Sequence, residues 1–577
     1  MSKAPDAVLS SPVPFPAGAG PANLAELVFA PRPGEDPSSQ VLLGHLGKTA
    51  TDVSLADLRR GAVSLAGKLS ALGIGPKDTV ALIRLPRTSE LPIALAAAAL
   101  GARGNRTLLP MYLELDALGT WLETSDVRAV LWNVGEAAVG SREARLAADL
   151  AALLRERRVG AWCLHRDLAV LDPAPDPDPG LVASLRDGAG RETECVIFTT
   201  SGSSGRSKLV LYRQGAILAS AASWQAAGLF DSARMGGRGM SLLLAHSMGL
   251  RAMWNAIWTR RPLCLVTPEW FEENPEGALG QMARMAPEHV LGGPAVYRTF
   301  LALSRFFPEA AKEALGSIRT VISSGAPWDE ELAQAIEAAT GLALHGAFGT
   351  TETMQVASTL APGISPAARG TLGNPLPGVE LGLVRDEGEL HRLLVRSPFG
   401  CAGTLEPSGL VPAAQWFETG DLVRRTPGGL VHAGRAATDF VKDGFGVKIP
   451  YARVAGFYAG LADPVESIEF LPLREQPGVG AIVFVRGAAA GERVFDAEIL
   501  ALVERILYGR HAELRERVEE FEFRHLTIAR FACVGGPAPR TAKGTLRRDA
   551  VADVADTVRT PYVEAAGVVS LDRTRFA

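Results

Sequence analysis

Apolar residues in this chain fall into short runs parted by helix-length stretches and turn residues. Residues 54–101 set the pattern: a helix-length amphipathic stretch, a Gly-Ile-Gly-Pro-Lys-Asp turn, a strand over Thr79–Ile83 and a second helical stretch. Further apolar runs follow at Ala129–Trp132, Cys195–Phe198, Met240–Leu244, Leu263–Val266 and Thr320–Ile322, with helix-length segments such as Glu330–Thr340 between them. Strands alternating with helices predict an α/β architecture with largely parallel sheets. After about residue 370 the segments shorten around turns at Pro375–Gly378 and Pro427–Gly429, which predicts a β-rich lobe. A further small α+β unit is expected from about Gly434 onward. The Ala/Gly-rich stretches show no fixed period, so no repeat is expected.

Composition narrows the class without naming a chemistry. At 577 residues the chain exceeds one compact core, so at least two domains are expected. It is 47% hydrophobic and 21% charged, a globular balance, and its net charge of −4 supplies no basic field for nucleic acid or an anionic membrane. The five cysteines (163, 195, 264, 401 and 533) are scattered, with neither metal-ligand spacing nor a disulfide framework. Met1–Gly20 lacks the layout of a signal peptide, and the best apolar run, Leu91–Ala102, is too short to span a bilayer. A cytoplasmic protein is expected. Lysine is scarce, at positions 3, 48, 68, 77, 208, 312, 442, 448 and 543 only, so a lysine inside a motif carries unusual weight.

The densest polar motif is Phe198-Thr-Thr-Ser-Gly-Ser-Ser-Gly-Arg-Ser-Lys208, directly after a strand. Hydroxyls and glycines at this density let backbone N–H groups and side-chain oxygens wrap a polyphosphate, with Lys208 as a point charge. Lys208 does not directly follow the last glycine, so this is not a Walker loop. A polar Ser/Gly linker is the plain alternative. Four other segments invite chemistry: Ser324-Gly325-Ala326-Pro327, Phe348-Gly-Thr-Thr-Glu352, Trp416-Phe-Glu-Thr-Gly-Asp421 and Gly434-Arg435.

In this order the segments resemble the adenylate-forming superfamily, which includes acyl- and aryl-CoA synthetases, luciferases and the adenylation domains of peptide synthetases. Its phosphate loop reads Thr-Ser-Gly-Thr-Thr-Gly-x-Pro-Lys-Gly. Here Thr200, Ser201, Gly202, Ser203, Ser204, Gly205 and Lys208 match, while Ser207 and Leu209 depart. The resemblance implies that Phe348 packs on adenine beside Gly349 and Thr350, that Thr351 touches the α-phosphate, and that Glu352 helps hold Mg2+. It places residues 324–327 on the other adenine face and gives Asp421 and Arg435 the ribose hydroxyls. Lys442-Asp-Gly-Phe-Gly-Val-Lys-Ile-Pro450 resembles the loop that enters the acyl tunnel for thioester formation. Pro539-Arg-Thr-Ala-Lys-Gly-Thr-Leu-Arg-Arg548 resembles the C-terminal lysine motif, usually Pro-x-Thr-x-x-Gly-Lys-x-x-Arg. Thr545 stands at the lysine position and Lys543 two residues earlier, so Lys543 is the expected adenylation lysine or, if it cannot reach, an exposed loop residue. Where the family commonly has Asp or Lys two residues after the arginine of the Gly-Arg pair, this chain has Ala437, or Asp439 with an insertion.

The resemblance implies a large N-terminal domain, 1–434, of two α/β subdomains plus the β-rich lobe. It also implies a small mobile C-terminal domain, 435–577, hinged at 435–439. Ala245-His-Ser-Met-Gly-Leu250 stands where acyl- and aryl-CoA synthetases carry their His-containing segment, and the Asp of amino-acid-activating domains is absent. The expected substrate is therefore a carboxylic acid without an α-amine. His246 gates the pocket or meets the carboxylate, or is structural; Met253, Trp254, Gly346 and Met354 line the pocket or are plain core. The implied reaction is ATP-dependent formation of acyl-AMP with release of pyrophosphate, then transfer to a thiol, CoA or a carrier-protein phosphopantetheine. Two rival readings remain: a ligase that loads a carrier protein or stops at the adenylate, and a degenerate nucleotide-binding protein without catalysis. About thirty residues follow the lysine motif, so no fused carrier or reductase domain is expected. Neither the acid nor the oligomeric state is legible.

Overall fold

The protein is described from a computed structural model covering residues 4–538. Outside the description are 19, 47–48, 86–87, 112, 114, 134–141, 166, 171, 173–175, 202–206, 232–233, 242–243, 326–329, 364–368, 386–389, 436–439, 443–447, 451–457, 459–460, 473–478, 490–491, 493, 495 and 518–527. Two compact units are distinguished, one formed by 1–200 with 208–436 and the other built on 437–577.

The larger unit holds three sheets. An eight-stranded sheet runs in the order Gly409–Pro412, Gly403–Glu406, Ser207–Arg213, Glu194–Ser201, Arg106–Leu109, Thr79–Arg84, Val127–Asn133, Gly160–Cys163. A nine-stranded sheet runs Asn374–Pro375, Met354–Ser358, Leu344–Thr350, Thr320–Ser323, His289–Gly292, Gly239–Ser241, Leu263–Leu265, Gln40–Leu46, Thr49–Ser54. The nine-stranded sheet is parallel in its middle and antiparallel at both edges, whereas the eight-stranded sheet is antiparallel only at its Gly409–Pro412 end and parallel through to the Gly160–Cys163 edge. The expected apolar runs all contribute strands to these parallel regions, and Glu330–Thr340 is a helix with the expected bounds. The β-rich lobe is a five-stranded sheet of Glu380–Arg385, Leu390–Arg396, Phe417–Thr426 and Gly429–Arg435, completed by Ala7–Ser10 from the N-terminal stretch.

The principal core gathers the helices Leu55–Ala71, Leu91–Arg103, Gln214–Ala226 and Ser247–Thr259. Ser54 opens the first of these with a reciprocal capping box to Asp57. Every residue of Leu91–Arg103 is buried, which its Ala-rich, non-amphipathic sequence permits. Gly101 is required there, because a Cβ would stand 2.8 Å from the Trp254 ring. At the other end of this helix Arg84 binds Glu90 at 2.9 Å and Glu269 at 2.9 Å, all three nearly buried. Burial and the neighbouring Glu269 push the Glu90 carboxyl up to about 7, against the pull of Arg84.

The smaller unit has a sheet of Val465–Pro472, Val479–Val485 and Ile528–Gly535 beside the helix Ala497–Arg517. A two-stranded ladder pairs Phe440–Lys442 with Lys448–Pro450. This mixed architecture of several α/β sheets and a small α+β unit is the expected fold class. All five cysteines are free. No helix among the described residues is long and apolar enough to cross a membrane.

Candidate active site

The Ser/Gly-rich motif joins two adjacent strands of the eight-stranded sheet. Glu194–Ser201 runs parallel to Arg106–Leu109, and after 202–206 the chain returns as Ser207–Arg213. Phe198 anchors the outgoing strand, buried edge-on to Tyr212 at 5.9 Å. The Thr199 hydroxyl accepts from the Met111 N–H at 3.1 Å. Thr200 is half-buried and Lys208 exposed, so both remain accessible at the mouth of the hairpin. Gly202, Ser203, Ser204 and Gly205 lie outside the described residues, as does the Ser201 side chain.

Phe348–Glu352 closes a hairpin between Leu344–Thr350 and Met354–Ser358. The register shifts at Phe348/Gly349, where a Cβ on Gly349 would fall 1.9 Å from the Met354 carbonyl oxygen; only glycine fits that approach. Hydroxyls organise the turn: Thr353 Oγ1 accepts from the Thr350 N–H at 3.0 Å, and Thr350 Oγ1 from the Glu352 N–H at 3.2 Å. The Glu352 carbonyl accepts from the Cys401 N–H at 2.9 Å. The backbone is thereby fixed while the side chains of Thr350, Thr351 and Glu352 stay half-buried.

Tyr212 links the two hairpins. Its buried hydroxyl donates to the Thr351 carbonyl at 2.6 Å, bracing the strand that leaves Lys208 against the turn that carries Glu352. Burial, with Cys401 and Glu352 nearby, pushes this phenol well above its ordinary range, so it remains a donor. Nothing in the sequence marks Tyr212 except its place in the strand after the loop.

Ser324 and Gly325 follow the strand Thr320–Ser323. The Ser324 N–H donates to the Gly292 carbonyl at 2.9 Å, and its hydroxyl accepts from Gln355 Nε2 at 3.4 Å, so this loop lies beside the Phe348 hairpin. Gly325 has φ +83° with open space around its Cβ position, a requirement of conformation rather than room. Ala326 and Pro327 lie outside the described residues.

Asp421 belongs to the five-stranded sheet, nearly buried and opposite Arg435 in the ladder. Its N–H donates to Thr419 Oγ1 at 3.0 Å, and its carboxylate Oδ1 lies 3.2 Å from His432 Nε2, a partner that sequence reasoning missed. The Arg435 side chain, the 436–439 segment and Lys543 lie outside the described residues; Lys442 and Lys448 are register partners in the short ladder.

His246 caps the helix Ser247–Thr259, its Nδ1 accepting from the Met248 N–H at 3.0 Å. Burial lowers its pKa to about 4, so near neutral pH the ring is uncharged. With Nδ1 an acceptor, the ring proton sits on Nε2, which can donate to an acid oxygen but cannot act as a base. Met253 and Trp254 are core residues, the latter packed on Gly101. Among the described residues no group of three or more His, Cys, Asp or Glu is placed to hold a metal ion. The half-buried Glu352 carboxylate is an oxygen donor of the kind a hard cation takes.

A family model described as AMP-binding enzyme matches residues 33–403. The 2-succinylbenzoate–CoA ligase of Geobacillus kaustophilus (strain HTA426) is 25% identical over 405 residues, 68% of this chain and 74% of that protein. The amide bond synthetase McbA from Marinactinospora thermotolerans superposes with a TM-score of 0.64 at 20% identity, covering 92% of this chain and 99% of that one. A double mutant of the o-succinylbenzoate CoA synthetase MenE from Bacillus subtilis, bound to a product analogue, gives 0.65 at 18% identity over 92% and 98%.

Proposed function

The chain belongs to the AMP-binding enzyme family, and from that premise we propose that it activates a carboxylic acid lacking an α-amine and passes the acyl group to CoA. The observation that carries this reading is the Tyr212–Thr351 hydrogen bond, which holds the phosphate-loop hairpin and the Thr351–Glu352 turn as one frame. A site that must align a carboxylate with an α-phosphate depends on such fixed positioning.

In this reading Thr200, Ser201, Gly202, Ser203, Ser204, Gly205 and Lys208 hold the triphosphate of ATP. Phe348, Gly349 and Thr350 on one side and residues 324–327 on the other enclose adenine, and Asp421 with Arg435 takes the ribose. Thr351 contacts the α-phosphate. Mg2+, when bound, neutralises phosphate charge, and Glu352 is the side chain that would hold it. His246 donates Nε2–H to the acid. Lys543 bridges the carboxylate and the α-phosphate, a preorganised charge in a site sheltered from water. The acid oxygen bonds to the α-phosphorus as pyrophosphate leaves; the thiol then attacks the acyl carbon and AMP leaves. The domain 435–577 turns about 435–439 between these halves, withdrawing Lys543 and presenting 442–448.

The test is AMP release from ATP and Mg2+ with fatty, aryl and polycyclic acids, with and without CoA. Acid-dependent AMP, accelerated by CoA and accompanied by acyl-CoA, is expected. Release of ADP, or AMP without acid dependence, contradicts the proposal. The likeness to an amide bond synthetase favours one second reading, capture of the acyl-AMP by an amine; AMP release accelerated by amines but not by CoA would support it.

A further inference from the structure

The helix Ser247–Thr259, capped at one end by His246, carries a second polar set that the mechanism above does not use. Arg251 is 1% exposed, yet none of its three guanidinium nitrogens has a hydrogen-bond partner. Its guanidinium lies 4.0 Å from the centre of the Trp224 ring. One turn further along, Asn255 Oδ1 is buried without a partner, and so is Nδ1 of His289 at the start of the strand His289–Gly292. All three residues line one cavity of about 40 Å3, whose walls include Phe230, Met240 and Leu291.

Stacking on Trp224 offsets part of the hydration the guanidinium loses, but satisfies none of its N–H groups. Burial alone acts on the Arg251 pKa, lowering it to about 9, and no carboxylate among the described residues contributes. The group therefore remains a cation at neutral pH, enclosed and without a counter-ion among the described residues. Water can satisfy its N–H groups but cannot neutralise it.

The surrounding groups fit one ligand chemistry. A guanidinium presents paired donors that match a carboxylate's two oxygens. Burial, with Arg261 of the cavity wall and Arg251 nearby and against the pull of Glu288, lowers His289 to about 4, so its ring is neutral and can donate Nδ1–H. The Asn255 amide can present its NH2 end to the same space. A volume of about 40 Å3 holds roughly three water-sized atoms at ~10–15 Å3 each, the size of a carboxylate group.

The cavity also stands at a useful distance. Gly239 and His289 are register partners at the starts of two parallel strands, while Gly292, which accepts from Ser324, is at the other end of His289–Gly292. At ~3.3 Å per residue, that strand separates cavity from nucleotide loop by roughly 10 Å, within reach of a short bifunctional acid. We propose that Arg251, Asn255 and His289 form a carboxylate-binding site that receives the distal carboxylate of a dicarboxylic substrate. The substrate assignment rests on the acid-activating reading above; the site itself does not.

Two measurements on the full chain test this. The first is the unfolding midpoint with diacids from succinate to suberate, and with butyrate to octanoate as monocarboxylic partners, for wild type and Arg251→Met. Diacids are expected to raise the wild-type midpoint but not that of the variant, and the free variant, relieved of an unneutralised charge, is expected to unfold at a higher temperature than wild type. The second is acid-dependent pyrophosphate exchange, where at least a tenfold kcat/KM preference for diacid over matched monoacid should be lost in Arg251→Met, chiefly through KM. Arg251→Lys, which keeps the charge without the fork, should show a reduced preference and serves if the Met variant does not fold. Arg251-dependent stabilisation by monoacids and diacids alike, without a diacid preference in exchange, would support the site and overturn the substrate assignment in favour of a free small carboxylate. Diacid stabilisation through Arg251 with no exchange for any acid would retain the site and remove the acid-activating reading. If no carboxylate shifts the wild-type midpoint in an Arg251-dependent way, the site is overturned even if some acid is activated.

Discussion

His246 and Glu90 show how burial sets charge residue by residue. The His246 ring is held neutral, its pKa lowered to about 4, and serves as a helix cap. His246→Asn should keep a cap acceptor and most stability while losing the Nε2 donor, whereas His246→Ala should lose the cap as well, about 1 kcal/mol by denaturant unfolding. If both variants activate acid as fast as wild type, the ring has no role beyond the cap. Glu90 is shifted the opposite way, up to about 7. Its folded form holds a proton that the unfolded chain releases, so its contribution to stability is complete below about 4.5 and is lost as pH rises through 7. His246 and His289 work in the other sense, since the unfolded chain binds their protons first as pH falls below about 6.5. Glu90→Gln should therefore leave stability rising more steeply with pH between about 4.5 and 7, by up to about 1.4 kcal/mol per unit. An unchanged slope would mean that Arg84 keeps Glu90 ionised throughout. The family was legible because its Ser-, Gly-, Thr- and Asp-containing motifs stand in the family's order. Tyr212, His432 and Arg251 were not, since a tyrosine or histidine in a strand and an arginine in a helix are ordinary until their partners are known.

At the scale of elements, the alternation of apolar runs revealed the parallel strands because a strand buried on both faces needs a continuous apolar sequence. It did not reveal that Ala7–Ser10 completes the five-stranded sheet, since four residues with Val8 and Ser10 exposed are too short a run to read and are fixed by pairing with Glu380–Arg385. Nor did it show that the Ser/Gly-rich segment joins adjacent strands, the second of which is tied through Tyr212 to the Thr351 turn. Two substitutions test that brace. Tyr212→Phe removes the donor to Thr351 and should cost about 1–2 kcal/mol, with a raised KM for ATP. A stability loss with unchanged ATP kinetics would separate the brace from the nucleotide site. Gly349→Ala drives a Cβ into the Met354 carbonyl and should cost about 1–3 kcal/mol or more, lowering the unfolding midpoint and acid activation together.

For the whole molecule, the proposed mechanism places two half-reactions on two loops of one small domain. Lys543→Ala should then abolish adenylate formation while leaving thioester formation from supplied acyl-AMP intact, and changes in 442–448 should do the reverse. The most direct test of the central claim is pyrophosphate exchange into ATP across monocarboxylic and dicarboxylic acids, with wild type and Lys543→Ala side by side. Exchange with one class of acid, falling by roughly two or more orders of magnitude in the variant, is the expected result. No exchange with any acid, although ATP binds, would contradict it and leave a nucleotide-binding protein without catalysis.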